Sequence, residues 1–96
     1  MDFKVVITER ATEDLREIVE HIARDNPRAA ARMGHALLDT ALSLCALPHR
    51  GAMHDATRSI RKLTRSPYKI FYRVGEQRGV VEILHFWHAA RSEPEY

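Results

Sequence analysis

Four side chains near the carboxy-terminal end, His85, His88, Arg91 and Tyr96, bring two imidazoles, a guanidinium and a phenol close together in the sequence. Upstream of them, Arg58, Arg61, Lys62, Arg65, Lys69 and Arg73 form a basic run with no acid between them. Together these groups could cleave RNA without a metal. A base would take the 2′-hydroxyl proton, cations would stabilise the phosphorane charge, and an acid would protonate the leaving oxygen. The same groups also suit plainer duties. His88 and Arg91 could contact backbone carbonyls or a partner's carboxylate, and the run could be a solvated sheet edge that its charges protect from aggregation.

Other chemistries lack their motifs. The histidines at 21, 35, 49, 54, 85 and 88 show no compact ligand spacing and there is no second cysteine, so no metal site is expected. The isolated glycines at 34, 51, 75 and 79 form neither a phosphate-binding loop nor a nucleophile turn. No cofactor is expected.

The elements that must position these residues belong to one domain spanning residues 1–96, with an apolar fraction of 45% and a charged fraction of 29%, ordinary for a globular chain. The net charge of +2 is uneven: residues 1–47 carry six Lys or Arg against eight acids, and residues 48–96 carry nine against five. Such asymmetry suggests an anionic partner, a nucleic acid or an acidic protein segment. Cys45, flanked by Leu44, Ala46 and Leu47, is expected to fill the core. The amino terminus does not read as a signal peptide, and no apolar run approaches the roughly 20 residues of a membrane span. A cytoplasmic location without membrane partners is expected.

Phe3–Ile7 is short and β-branched, which predicts a first strand. Thr8 can cap a helix from Glu9 to about Arg24, whose Ala11, Leu15, Ile18, Val19 and Ile22 recur at helical spacing. Asn26-Pro27 starts a second helix, reaching about Leu47 before Pro48, and the short connection makes the pair an antiparallel hairpin. His49–Asp55 lacks a period and reads as a loop. Strands are predicted at Ser59–Arg65, Tyr68–Val74 and Val80–Trp87, the last apolar on both faces. The fold class is therefore α+β, a helical hairpin on a mostly antiparallel sheet in the order β-α-α-β-β-β. The hairpin covers one face, and a partner is expected to cover the other.

This order resembles the RelE/ParE toxins of type II toxin–antitoxin systems, and the resemblance covers nearly the whole chain. It rests on Ala11-Thr12-Glu13-Asp14-Leu15 with Ile18, on Leu47-Pro48 with Gly51, and on Ile60-Arg61-Lys62-Leu63. The most specific part is Tyr68-Lys69-Ile70-Phe71-Tyr72-Arg73-Val74, then Val81-Glu82-Ile83-Leu84 running into His88-Ala89-Ala90-Arg91.

The resemblance implies a growth-inhibiting toxin neutralised by an antitoxin whose carboxy-terminal segment folds onto it. Leu15, Ile18, Val81, Ile83, Phe86 and Trp87 are the expected antitoxin contacts. RelE-like members cut messenger RNA on the ribosome, and that reading implies catalytic roles for Lys62, Lys69, Arg73, His85, His88, Arg91 and Tyr96. ParE-like members poison DNA gyrase, and that reading implies target contacts at Arg61, Arg65, Arg73, His88 and Arg91. An earlier lysine of the RelE pattern falls on Ile60, and its carboxy-terminal arginine falls near Ala89. The ending His88-x-x-Arg91 looks more like ParE-type members and their plasmid-stabilisation relatives, so a gyrase poison is expected, with a non-toxic antitoxin-binding relative as a further alternative. No sequence-specific DNA binding is expected of the toxin alone.

Overall fold

The computed structural model describes residues 2–94; Tyr96 lies outside them. Strand β1 (Lys4–Ile7) is followed by helices α1 (Glu9–Ala23) and α2 (Pro27–Leu42), then strands β2 (Ala52–Asp55), β3 (Ile60–Arg65), β4 (Tyr68–Gly75) and β5 (Val80–His88). The five strands form one sheet in the order β1-β5-β4-β3-β2, antiparallel except for the parallel pair of β1 and β5. The α+β expectation holds, with one strand more than the periodicity predicts.

Both helices begin where their caps predict. The Thr8 hydroxyl accepts from Ala11 N at 3.2 Å and donates to the Ile83 carbonyl at 2.7 Å, so one side chain starts α1 and ties it to β5. Asn26 Oδ1 accepts from Ala29 N at 3.0 Å with Pro27 in the first turn. Asn26→Ala should cost about 1 kcal/mol in a urea unfolding experiment, the usual worth of such a cap. Gly34 lets α2 lie close to α1, since a Cβ there would stand 3.1 Å from Val19 Cγ2.

The second helix ends earlier than predicted. Regular α-helix stops at Leu42 and tightens into a 3₁₀ turn at Ser43–Cys45, where the Ser43 hydroxyl donates to the Thr40 carbonyl. Tightening of a last turn is a common way to use up free carbonyls. Cys45 is only partly buried, so its role as a core filler is not borne out. The predicted loop 49–55 instead contains β2, an edge strand paired with β3 through Ala52↔Lys62 and Met53↔Arg61. Ala-Met-His-Asp has no alternating apolar pattern because neither face of this edge is deeply covered.

The core lies between the hairpin and one sheet face. It includes Ala11, Leu37, Ala41, Leu44, Ile70, Tyr72, Val81, Ile83 and Phe86. Between β4 and β5 the register shifts: Phe71 pairs with His85 and Tyr72 with Ile83, leaving Leu84 as the extra residue of a bulge. The bulge corrects the predicted faces of β5. Strict alternation groups Phe86 with Val80 and Leu84, whereas Phe86 shares the core face with Val81 and Ile83.

The opposite face is covered differently from expectation. Phe71 points away from the hairpin yet is fully buried. Ser92, Glu93 and Pro94 turn back to contact this face: Trp87 Nε1 donates to the Ser92 carbonyl at 2.9 Å, and His54 Nε2 lies 3.4 Å from the Pro94 carbonyl. The chain thus supplies part of the layer that was assigned to a partner.

Candidate functional site

Lys62 and Lys69 sit on β3 and β4, on the sheet face away from the helices. Cross-strand pairing aligns Lys62 with Phe71 and Lys69 with Trp87. Both ammonium groups converge on one carboxylate. Lys62 Nζ lies 3.0 Å and Lys69 Nζ 2.7 Å from Glu93 Oε2, and His54 Nδ1 lies 3.8 Å from Glu93 Oε1. Hydrogen bonds from Lys69, then Lys62, lower the Glu93 pKa from 4.5 to about 2.

That shift has a signed consequence. The folded pKa of Glu93 is depressed, so its stabilising contribution is present above about 4.5 and is lost as pH falls toward about 2. Glu93 anchors the segment that receives the Trp87 indole, the chain's single tryptophan. Trp87 emission should therefore shift to longer wavelength across that acid window, and Glu93→Gln should show the shifted emission already at neutral pH.

His85 follows the bulge and reaches a different element. Its Nδ1 lies 2.9 Å from Asp14 Oδ2 on α1, and the same oxygen accepts from Phe86 N at 3.3 Å. Arg10 Nε approaches the other Asp14 oxygen at 3.3 Å. Because β1 ends at Ile7, β5 continues beyond its parallel neighbour, and the Asp14 carboxylate takes a main-chain donor that no strand meets. Asp14 is the one buried charged residue among those described.

His88 pairs with Tyr68, on the face toward the helices. Its ring stands edge-on to Tyr68 at 5.2 Å, and its Nδ1 accepts from Ala90 N at 3.0 Å. The Arg91 guanidinium lies over the Trp87 ring at 4.2 Å, a cation–π contact. His88 and Arg91 also line a groove of about 320 Å³ with Asp14, Glu17, Ile18, His21, Tyr68 and Phe86.

The remaining basic residues are dispersed. Arg61 Nη1 donates to the Gly51 carbonyl at 2.8 Å, bracing the turn before β2. Arg73 faces Glu82 at 3.7 Å and donates to the Arg58 carbonyl at 3.3 Å. It stands four residues from Lys69, roughly 13 Å along the strand. Arg65 lies at an open trough with Arg32, His35, Asp39 and Arg50.

The candidate nuclease residues therefore do not form one cluster. Lys62 and Lys69 share the far face with His85 beside the bulge, His88 belongs to the helix-side groove, Arg73 lies farther along β4, and Tyr96 is outside the described residues. Among the described residues, no group of three or more His, Cys, Asp or Glu side chains is arranged to hold a metal. No helix among them is long and apolar enough to cross a membrane.

The expected antitoxin contacts need correction as well. Val81 and Ile83 are fully buried in the chain's own core and Phe86 nearly so, because the bulge at Leu84 brings Phe86 onto the helix-facing side with the other two. They are not available to a partner. Leu15 and Ile18 pack against the core but remain partly exposed, as does Trp87. Asp14, His54 and Glu93 went unrecognised in the sequence. Each looks like a solvated polar residue locally, and only remote chain segments give it partners.

A family model and a curated relative place the chain, and solved structures share its fold. Residues 5–93 match the model of the ParE toxin of the type II toxin–antitoxin system parDE. Toxin RelE1 of Caulobacter vibrioides is 37% identical over 92 residues, covering 92% of this chain and 95% of that protein. Among solved structures, the chromosomal ParDE system of P. aeruginosa contains a chain that superposes with a TM-score of 0.74 at 21% identity, covering 90% of this chain and 95% of that one. The RelBE2 toxin–antitoxin complex of Mycobacterium tuberculosis gives 0.68 at 24% identity, covering 92% and 99%. With a family match over almost its full length and a sheet and hairpin like those of these structures, the chain belongs to the ParE toxin family of type II toxin–antitoxin systems, within the RelE/ParE superfamily.

Proposed function

We propose that this toxin arrests growth by poisoning DNA gyrase through protein–protein contact, and that a cognate antitoxin neutralises it in the cytoplasm. The observation carrying this reading is the separation of the nuclease candidates. Both lysines are engaged by the one Glu93 carboxylate, while His88 lies on the other side of the sheet. With His88 as general base, the imidazole and these lysines would have to flank one phosphate, and they stand on opposite faces. The ending His88-x-x-Arg91 favours the same side of the superfamily, and Arg61, Arg65, Arg73, His88 and Arg91 are the proposed target contacts.

The antitoxin is proposed to use the partly exposed Leu15, Ile18 and Trp87. The groove beside Ile18, with its mixed apolar and charged lining, suits an amphipathic segment that folds on binding.

One observation favours a second reading. Lys62, Lys69 and His85 stand on neighbouring strands of one region, as a RelE-like ribosome-dependent nuclease would require of part of its site. Plasmid cleavage separates the two. Purified toxin with gyrase, ATP and supercoiled plasmid should yield linear DNA once the enzyme is denatured, and added antitoxin should abolish it. Arg91→Ala should reduce the effect about tenfold or more if Arg91 is a central contact. Growth arrest without plasmid cleavage, accompanied by cut messenger RNA, would replace the gyrase reading with the nuclease one.

A further inference from the structure

Helix α2 carries two stripes. Ala30, Gly34, Leu37 and Ala41 face the core and are buried. On the opposite side Arg32, His35 and Asp39 recur at helical spacing, and Ser43 continues the stripe past the helix end. Arg50, just before β2, and Arg65, the last residue of β3, stand beside this stripe, because the pairing of Ala52 with Lys62 brings both arginines to the same end of the sheet. Together they line an open trough of about 560 Å³. The helical rise from Arg32 to Ser43 makes it roughly 16 Å long.

The trough is cationic without being paired. Its three arginines face one carboxylate, Asp39, which leaves a surplus of two positive charges with His35 neutral, equal to the formal net charge of +2 of the whole chain. Elsewhere Lys62, Lys69, Arg10 and Arg73 find carboxylates. Among the described residues, the guanidiniums of Arg32 and Arg65 have no hydrogen bond or ion pair, and none of the three closes on Asp39. Arg50 is held in place: its Nη1 donates to Ser43 Oγ at 2.8 Å, while that hydroxyl gives its own proton to the Thr40 carbonyl. Cations gathered in this way raise the local potential, which an anion relieves.

We infer that this trough binds the phosphodiester backbone of duplex DNA without reading its sequence, and that in the toxin–gyrase complex it grips the DNA that the enzyme holds. Arginine and hydroxyl side chains set along a helix are the groups that contact phosphates and position a duplex. Arg32 lies toward one end of the trough and Arg50, on Ser43, toward the other, which fits an extended polyanion better than a single anionic group. Among the described residues the lining holds no Trp, Tyr or Phe, so the unstacked bases of a single strand find no platform, whereas a duplex needs none. Ala36 is its one wholly apolar side chain, too little to anchor a partner helix. Arg65 therefore meets DNA and not the gyrase protein. That last step rests on the gyrase reading; the affinity for duplex DNA does not.

The test measures fluorescence anisotropy of a fluorescein-labelled duplex of about 16 base pairs with the full chain over a range of salt concentrations. Each phosphate neutralised adds about 0.9 to the steepness with which log affinity falls against log salt. Arg32→Gln, Arg50→Gln and Arg65→Gln should each lower that steepness by about one, and the triple variant should bind at least about tenfold more weakly at low salt, equally for duplexes of unrelated sequence. Arg78→Gln, which removes the same charge from the turn after β4, at the far end of that strand from Arg65, should leave the steepness unchanged. If the triple variant folds poorly, Arg32→Gln with Arg65→Gln carries the test, since neither guanidinium has a partner to lose among the described residues. Unchanged steepness in these variants, or no duplex binding by the wild type at low salt, would overturn the proposal. Tighter binding of a single-stranded RNA of the same length, or of a decaglutamate peptide, lost in the same variants, would overturn it too and reassign the trough. With gyrase and supercoiled plasmid, the triple variant should need about tenfold more toxin for the same linear DNA. Linearisation unaffected by the three substitutions would remove the trough from the complex. Duplex binding without any linearisation would sink the gyrase reading and leave the DNA site standing, and linearisation by a wild type that binds no duplex would do the reverse.

Discussion

Gly51→Ala is expected to destabilise the fold by about 3 kcal/mol, on the order of 15 °C in melting temperature for a domain of this size. A Cβ at position 51 would stand 2.7 Å from both the Lys62 carbonyl oxygen and the Tyr72 hydroxyl. Neither neighbour can yield cheaply. The carbonyl belongs to β3, where Lys62 pairs with both Ala52 and Phe71, and the Tyr72 ring is fully buried. The substitution also strains the hydrogen bond from Gly51 N to the Tyr72 hydroxyl, now 2.9 Å long. A stability of roughly 5–14 kcal/mol is typical at this length, so the loss would be a large fraction of the total. A double-mutant cycle with Tyr72→Phe checks the cause. Alone, Tyr72→Phe should cost about 1–2 kcal/mol by orphaning the Gly51 N–H. In the Gly51→Ala background it should cost less, because it removes one of the two clashes. Additive costs would mean that the Tyr72 hydroxyl is not what the methyl group meets.

Asp14→Ala should cost about 2–3 kcal/mol, and Asp14→Asn markedly less. The carboxylate accepts from Phe86 N and His85 Nδ1 and meets Arg10, and alanine leaves the nearly buried edge of β5 without an acceptor. Asparagine keeps a carbonyl oxygen for the Phe86 N–H and gives up the charge and the oxygen that meets Arg10. Hydrogen exchange gives a local readout: the Phe86 amide should lose protection in Asp14→Ala and keep most of it in Asp14→Asn. If both variants proved equally costly, the charge of Asp14 facing Arg10 would be the dominant contribution.

These two positions bear differently on function. Gly51 lies in the turn into β2 and accepts from Arg61, one of the proposed target contacts. Asp14 sets the direction of His85 and walls the groove that His88 and Arg91 share. Each therefore links the fold to a surface proposed to meet a partner, and their stability effects should be measured before any loss of toxicity is read as a lost contact.

Much of the architecture was legible in the residues. The helical periodicity of Ala11 to Ile22, the caps at Thr8 and Asn26, and the alternating, aromatic-rich stretch of β4 are local signals, and local signals fix local elements. Element order then limited the fold to a hairpin on a sheet, and the combined motifs pointed to the toxin family. The sequence by itself could not determine what depends on contacts between remote segments. β2 has no periodicity of its own and exists because β3 offers it an edge. The single extra residue at Leu84 reverses the facing of the β5 side chains that follow it, and so places Phe86 in the core beside Val81 and Ile83. Glu93 is 31 residues from Lys62 and 24 from Lys69, so no spacing rule ties the three together. Residue types declared which charges and rings the protein has. Only the folded chain decided which of them meet, because a bulge, a missing edge partner and a returning strap are properties of pairing across the whole sheet.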